Sequence, residues 1–201
     1  MKLSIFDYGA GNLHSLIKTL ERPGVTVQVD TDPAVAVTAD ALVLPGVGAF
    51  PAATRALGDE GRAVMQSAIR AGLPTLGICL GMQVLFDASD EGGDEGLGII
   101  AGRVERLHAA RVPQIGWNQL EPGAGHDTLL DASGLRIAYF ANSFVCRPAD
   151  HHTVTAWSTH EQDRFPAMVR VGRCTGVQFH PEKSSTAGVS FMHAWLREVQ
   201  A

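Results

Sequence analysis

The chain has no apolar stretch long enough to cross a membrane as a helix. Its longest apolar window, residues 71–86, is interrupted by three glycines and a proline, whereas a membrane-spanning helix needs about 20 mainly apolar residues. At the N-terminus Asp7 comes before any apolar core can develop, so we expect no secretory signal peptide. These absences predict a cytoplasmic protein that does not act in a membrane.

The sequence is also poor in basic residues and in cysteine. It has 16 Lys and Arg against 21 Asp and Glu, and a formal net charge of -5. This balance disfavours a nucleic-acid partner, because phosphate binding requires a basic surface. The three cysteines, Cys79, Cys146 and Cys174, leave one unpaired in any disulfide scheme and lack the close spacing of a structural zinc site. We therefore expect reduced thiols and no bound metal.

The first half of the chain alternates short apolar runs with helical periodicity, which is typical of βαβ units. Strands are predicted at Lys2–Phe6, residues 25–29, Ala41–Leu44 and residues 74–78. Helices are predicted around residues 13–20, 61–70 and 80–88. The pattern indicates an α/β protein with a largely parallel sheet.

The second half is richer in short strands than in helices. Strands are predicted at residues 103–107, 117–120, 136–140, 153–158, 167–171 and 176–179, separated by turns rich in Gly, Pro, Asp and Asn. We interpret them as an antiparallel or mixed extension of the sheet, closed by an amphipathic helix at residues 184–199. Because no repeat or linker interrupts the 201 residues, we predict a single domain over residues 1–201.

Three glycine-bearing turns follow predicted strands, at residues 9–12, 45–48 and 77–81. If the strands are parallel, all three turns gather at the edge where ligands bind in such sheets. The third turn has the pattern G-x-C-x-G between a strand and a helix, which is typical of a nucleophile elbow.

The elbow would present Cys79 at a helix N-terminus, where the dipole and free N–H groups favour the thiolate. The N–H of Leu80 could then hold an oxyanion. The alternative is that Cys79 is a buried cysteine that packs as a small apolar residue.

A nucleophilic cysteine needs a base, and the best candidate is His180, which directly follows a predicted strand. It would exchange a proton with the thiol, and Glu182, two residues on, would fix the ring tautomer. The other histidines have weaker signals: His151 and His152 lie in a predicted turn. The acidic stretch at residues 90–95 is interpreted as a solvated loop, since it does not match a metal-binding pattern.

Two of these segments resemble the class I glutamine amidotransferases: G-I-C-L-G-M-Q at residues 77–83 and Q-F-H-P-E-K-S at residues 178–184. Four others are similar to the narrower group of amidotransferase subunits of imidazole glycerol phosphate synthase. They are D-Y-G-A-G-N at residues 7–12, P-G-V-G-A-F at 45–50, P-Q-I-G-W-N at 113–118 and Y-F-A-N-S-F at 139–144. Together the matches span nearly the whole chain.

The resemblance implies a flavodoxin-like three-layer fold and a glutaminase that works through a cysteinyl thioester without a cofactor. It also implies a partner, a (β/α)8-barrel cyclase that forms a heterodimer with this subunit. The cyclase would use the ammonia to make imidazole glycerol phosphate and an aminoimidazole carboxamide ribotide, a step of L-histidine biosynthesis.

The resemblance also implies roles for individual residues. Cys79, His180 and Glu182 correspond to the nucleophile, its base and the orienting carboxylate. Glutamine-binding or oxyanion roles are implied for Gly46, Val47, Gly48, Leu80, Gln83, Ser143 and Phe144. Roles at the partner interface or in its gating are implied for Asn12, Gln114, Trp117 and Asn142.

Two positions depart from the family pattern. The family usually has His where Gln114 stands, and His-Ser-Tyr where this chain has Asn142-Ser143-Phe144. Neither departure touches the implied triad, so hydrolysis is expected to remain while gating differs.

Three other interpretations remain open from the sequence. The chain could be a glutaminase that serves another synthase, such as those of the anthranilate, guanylate or pyridoxal phosphate pathways. It could be a catalytically silent regulatory module on the same fold. It could also be another hydrolase with a cysteine elbow, although this leaves the His-Pro-Glu segment and Gln83 unexplained.

Overall fold

The computed structural model describes residues 1–9, 13–46, 48–93, 95–123 and 127–201. The strands are β1 Lys2–Phe6, β2 Thr26–Asp30, β3 Ala41–Leu44, β4 Thr75–Ile78, β5 Phe86–Ser89, β6 Ile100–Arg106, β7 Gln114–Gln119, β8 Glu121–Pro122, β9 Ile137–Asn142, β10 Phe144–Pro148, β11 Val154–His160, β12 Asp163–Val171 and β13 Cys174–Val177. The helices are α1 His14–Leu20, α2 Pro33–Ala36, α3 Phe50–Arg70, α4 Leu80–Val84, α5 Thr128–Ser133 and α6 Ser185–Gln200, with short 3-10 turns at His151–Thr153 and Pro181–Lys183. Within these ranges, none of the helices combines the length and apolar character that a membrane span requires.

A mixed eight-stranded sheet forms the centre, in the order β2-β1-β3-β4-β13-β12-β11-β8. The first five strands are parallel and the remaining three run antiparallel, which confirms the predicted sheet with its antiparallel extension. In register, Gly77 of β4 lies opposite Leu44 of β3 on one side and Gly176 of β13 on the other. The carboxyl ends of these three strands therefore meet at one level of the same edge.

Helices cover both faces of this sheet. Along β3, Ala41 and Val43 face one apolar core, which also contains residues of α1, α5 and α6. Leu42 and Leu44 face a second core, to which α3 contributes its buried side. Because successive side chains of a strand point to opposite faces, this alternation produces the three-layer arrangement.

Two predictions about the later elements are wrong. The helix predicted over residues 80–88 ends at Val84, and β5 follows because it pairs in parallel with β6, with Phe86 opposite Ile100. The strands β6, β7 and β9 do not extend the central sheet. Instead β5, β6 and β10 form a separate three-stranded sheet, and β7 and β9 form a two-stranded ribbon, because a local apolar pattern does not specify the partner strand.

The helix predicted at residues 61–70 is the second part of the longer α3. Gly58 interrupts α3 with φ 61° and ψ 175°, so the helical periodicity restarts after it. The elements α2, α5, β5, β8 and β10 were not predicted, since each is short and its local pattern is weak.

Candidate active site

Cys79 lies in a strained turn between β4 and α4. Its backbone has φ 48° and ψ −103°, a region that costs a non-glycine residue about 1–3 kcal/mol. The flanking glycines allow the turn to pack backbone against backbone. A Cβ on Gly81 would lie 1.9 Å from the Leu44 carbonyl oxygen, and one on Gly77 would lie 2.7 Å from the Gly81 carbonyl oxygen. The G-x-C-x-G pattern therefore forms the tight strand-to-helix turn that it predicts.

The base candidate His180 is held by its own backbone and by Glu182. Its N–H donates to the Tyr139 carbonyl oxygen at 2.8 Å, and its carbonyl oxygen accepts from the Ser184 hydroxyl at 2.6 Å. The ring nitrogen Nδ1 lies 2.8 Å from Glu182 Oε1. Glu182 does not engage the other ring nitrogen, which is left for Cys79.

Gly46 brings the cysteine and the imidazole together. A Cβ on Gly46 would lie 2.9 Å from Cys79 Cβ and 3.1 Å from His180 Cε1. A side chain at position 46 would therefore crowd both groups, and the glycine leaves that space open.

The buried ring of His180 favours the protonated form. Burial by itself disfavours the imidazolium, but hydrogen bonding to Cys79 and Glu182, together with their negative charge, outweighs it. Together these effects raise the pKa of His180 to about 10. An imidazolium beside Cys79 places a proton donor next to a sulfur atom, so the arrangement can supply both a nucleophile and a proton donor.

A polar cavity of about 230 Å³ opens beside the Cys79 side chain. The predicted glutamine-binding residues within the described chain all line it, namely Gly46, Gly48, Leu80, Gln83, Ser143 and Phe144. The remaining predicted member, Val47, lies outside the described residues. Cavities of about 380, 500 and 540 Å³ elsewhere contain neither cysteine nor histidine among their described wall residues.

Two residues at the site were missed by sequence reasoning. Glu91 lines the cavity, and its Oε2 accepts from the Phe50 N–H at 2.9 Å. It therefore differs from the solvated loop expected for the acidic stretch. Gln178 is fully buried, with Nε2 3.4 Å from Cys79 Sγ. Gln178 belongs to a motif used above, but nothing in its spacing distinguishes it from a core residue.

The ribbon of β7 and β9 runs from the cavity to the surface. At the cavity end Gln114 and Asn142 lie opposite each other and are both buried. On the opposite face Trp117, packed edge-on against Tyr139, is 55% exposed, and Ile115 is 67% exposed. Trp117 is therefore not a core residue. Asn12, the fourth residue for which a role at the partner interface or in gating is implied, lies outside the described residues.

Cys146, Cys174, His151 and His152 lie outside the wall of the cavity beside Cys79. Cys146 and Cys174 are free and buried, and burial raises the pKa of both thiols. His151 and His152 lie at the surface in a 3-10 turn, as expected for a solvated loop.

Comparisons with known proteins agree with this geometry. The sequence model of the family described as "Glutamine amidotransferase class-I" matches residues 4–197. The chain is 40% identical to imidazole glycerol phosphate synthase subunit HisH of Corynebacterium glutamicum, over 98% of each chain. It is 43% identical to the HisH subunit of Symbiobacterium thermophilum, over 98% of this chain and 94% of the relative. The structure of PurLQS from Thermotoga maritima aligns with a TM-score of 0.76 over 98% of each chain at 18% identity, which supports the fold alone. The chain therefore belongs to the class-I glutamine amidotransferase family.

Proposed function

We propose that this chain is the glutaminase subunit of an imidazole glycerol phosphate synthase and releases ammonia from L-glutamine for L-histidine biosynthesis. One observation carries the proposal: Cys79 stands in a strained elbow beside the hydrogen-bonded pair of His180 and Glu182, at the wall of a polar cavity. The relatives of about 40% identity, which bear the name of that synthase subunit, support the choice of pathway. They favour it over the other amidotransferase pathways.

In the first half of the reaction the Cys79 thiolate attacks the side-chain amide carbon of glutamine. The first N–H groups of α4, beginning with Leu80, have no partner within the helix and can stabilise the oxyanion. One such donor is typically worth about 2.7–4 kcal/mol. His180 gives its proton to the departing nitrogen, so ammonia leaves and a glutamyl thioester remains on Cys79. Val47 would add a second N–H donor.

In the second half a water molecule hydrolyses the thioester. His180, now neutral, removes the proton of this water and returns to its charged form as glutamate and the Cys79 thiolate are released. Glu182 holds the ring through Nδ1 in both halves. No step calls for a metal or an organic cofactor.

The cavity also suggests how glutamine is oriented. Among the described residues of its wall, Glu91 supplies the carboxylate. We assign to it the α-ammonium of the substrate, since a charged partner of opposite sign is favoured in a partly buried site. Gln83 is 5% exposed and donates to the Phe144 carbonyl oxygen at 3.1 Å. It thereby joins α4 to the segment of residues 143–144, whose backbone would hold the substrate.

The relatives are subunits of a larger synthase, and we propose a (β/α)8-barrel cyclase as partner in a heterodimer. The exposed apolar face of the ribbon, with Trp117, Ile115 and Ile137, is the surface we assign to it. The same ribbon carries Asn142 into the cavity wall. A signal from the partner could therefore reach the site through β7 and β9.

We further propose a single domain over residues 1–201 and a cytoplasmic location. Leu3 of the first strand and Trp195 of the last helix belong to the same apolar core, which supports one folding unit. All three cysteines are free, and the proposed nucleophile requires a reducing compartment.

The test is ammonia release from glutamine by wild type and Cys79→Ala, each alone and with the cyclase subunit and its ribotide ligand. We expect Cys79→Ala to lose activity under all conditions while still binding the cyclase in size-exclusion chromatography. Wild type should become faster when partner and ligand are added.

Ammonia release by Cys79→Ala at the wild-type rate would refute the nucleophile. Equal wild-type turnover with and without the cyclase and ligand would refute the coupling, while leaving the glutaminase chemistry intact.

A further inference from the structure

The sulfur of Cys79 has a second polar neighbour besides the imidazole. Gln178 follows β13, is fully buried, and places Nε2 3.4 Å from Cys79 Sγ, within the range of a hydrogen bond to sulfur. The Ala141 carbonyl oxygen is more distant, at 4.0 Å. The amide of Gln178 therefore presents an N–H donor to the atom that carries the negative charge in the thiolate.

The orientation of this amide is determined by Gln83. Gln178 Oε1 accepts from Gln83 Nε2 at 3.3 Å, and the same Nε2 donates to the Phe144 carbonyl oxygen at 3.1 Å. If the Gln178 amide were reversed, its NH₂ group would face that of Gln83 and its oxygen would face the sulfur. The contact between the two NH₂ groups would then be repulsive whatever the state of the sulfur, so the network favours the orientation in which Gln178 Nε2 faces the sulfur.

We propose that Gln178 is a thiolate-stabilising residue, oriented through Gln83 by the backbone of Phe144. A hydrogen bond to the charged form of a group favours that form. Unlike His180, Gln178 carries no charge and loses no proton during turnover. It can thus stabilise the resting nucleophile without competing for the proton that the departing ammonia needs. The assignment rests on the proposed role of Cys79.

The chain of contacts also links the nucleophile to the substrate cavity. Gln83 and Phe144 line that cavity, and Asn142 also donates to the Phe144 carbonyl oxygen, at 3.1 Å. A change at residues 142–144 would therefore alter the Gln178 donor, and through it the sulfur.

The experiment measures the rate at which iodoacetamide alkylates the full chain across pH, with the modified cysteine identified by mass spectrometry. Gln178→Met keeps the length of the side chain and removes the donor, and Gln178→Asn shortens the amide so that it no longer reaches the sulfur. We expect both to alkylate at Cys79 about tenfold more slowly near neutral pH, with the profile displaced to higher pH.

Gln66→Met is the matched control. Gln66 donates from Nε2 to the Leu97 carbonyl oxygen at 2.9 Å and lies outside the cavity of Cys79, so its profile should coincide with that of wild type. Circular dichroism shows which variants are folded, and the Asn variant decides the question if the Met variant is not.

A folded Gln178 variant whose alkylation profile equals that of wild type overturns the inference. If Cys79→Ala is inactive in that case, the proposed glutaminase mechanism still stands and only Gln178 is reassigned. If Cys79→Ala retains ammonia release, the nucleophile itself is wrong whatever the Gln178 variants do.

Discussion

Gly46→Ala should separate the nucleophile from its base with little damage to the rest of the protein. The new methyl group would lie 2.8 Å from the Ile78 carbonyl oxygen, 2.9 Å from Cys79 Cβ and 3.1 Å from His180 Cε1. Ordinary contact begins at 3.4 Å, so the shortfalls are 0.6 Å (3.4 − 2.8), 0.5 Å (3.4 − 2.9) and 0.3 Å (3.4 − 3.1). The methyl group therefore pushes on the cysteine and the imidazole at once.

The expected size of the effect follows from these shortfalls. A misplacement of about 1 Å can cost about 100-fold in rate, so a displacement of roughly half that should lower kcat by about tenfold or more. Overpacking of a close-packed site costs about 1–3 kcal/mol of unfolding free energy. The assays are ammonia release at saturating glutamine with the partner present, and denaturant unfolding.

Gly61→Ala provides the steric control. Its Cβ would lie 2.6 Å from Pro33 Cγ, an equally severe overlap inside α3 and away from the elbow. It should lose stability to a similar or smaller extent and keep the wild-type kcat. The reasoning is refuted if Gly46→Ala keeps its kcat, or if both variants lose kcat to the same extent.

Three further predictions concern the base, the substrate and the partner. Cys79→Ala should lower the pKa of His180 from about 10, as followed by NMR titration of the ring. Because the folded pKa is raised, the stabilisation by His180 is complete below about pH 6.5 and is lost as pH rises through the folded value. Glu91→Gln should raise KM for glutamine more than it lowers kcat, measured by steady-state ammonia release. Trp117→Ala should weaken binding to the cyclase, measured by calorimetry, without lowering the unfolding midpoint, because Trp117 is 55% exposed.

Each of these predictions has a distinct contrary outcome. An unchanged pKa of His180 in Cys79→Ala would mean that the sulfur does not contribute to the raised pKa of the imidazole. An unchanged KM in Glu91→Gln would mean that Glu91 does not bind the α-ammonium of glutamine. If Trp117→Ala binds the cyclase with the wild-type dissociation constant, the ribbon is not the partner surface. Thr159→Ala, on strand β11 instead of the ribbon, is the control for that measurement.

Much of the parallel half could be predicted from local pattern. Lys2–Phe6 and Ala41–Leu44 are strands with the predicted bounds, because an apolar run between turn residues is buried wherever a parallel sheet is covered on both faces. The second half was predicted less well. The strands β6 and β7 were recognised, but they belong to two separate small sheets. Which strands pair depends on which residues become buried together in the folded chain, and a short stretch of sequence does not show this.

The sequence alone determined the local chemistry of this protein: two glycines around Cys79 allow the strained elbow, and the His-Pro-Glu segment places a carboxylate within reach of its own imidazole. Only the tertiary structure decided what surrounds the sulfur. Parallel pairing of β4 with β13 closes a separation of 99 residues between Cys79 and Gln178, and the ribbon brings the Ala141 carbonyl oxygen to the same atom. Such contacts arise when segments that are distant in the sequence pack together, and the energy of that packing is shared across the whole core. No short sequence pattern therefore predicts them.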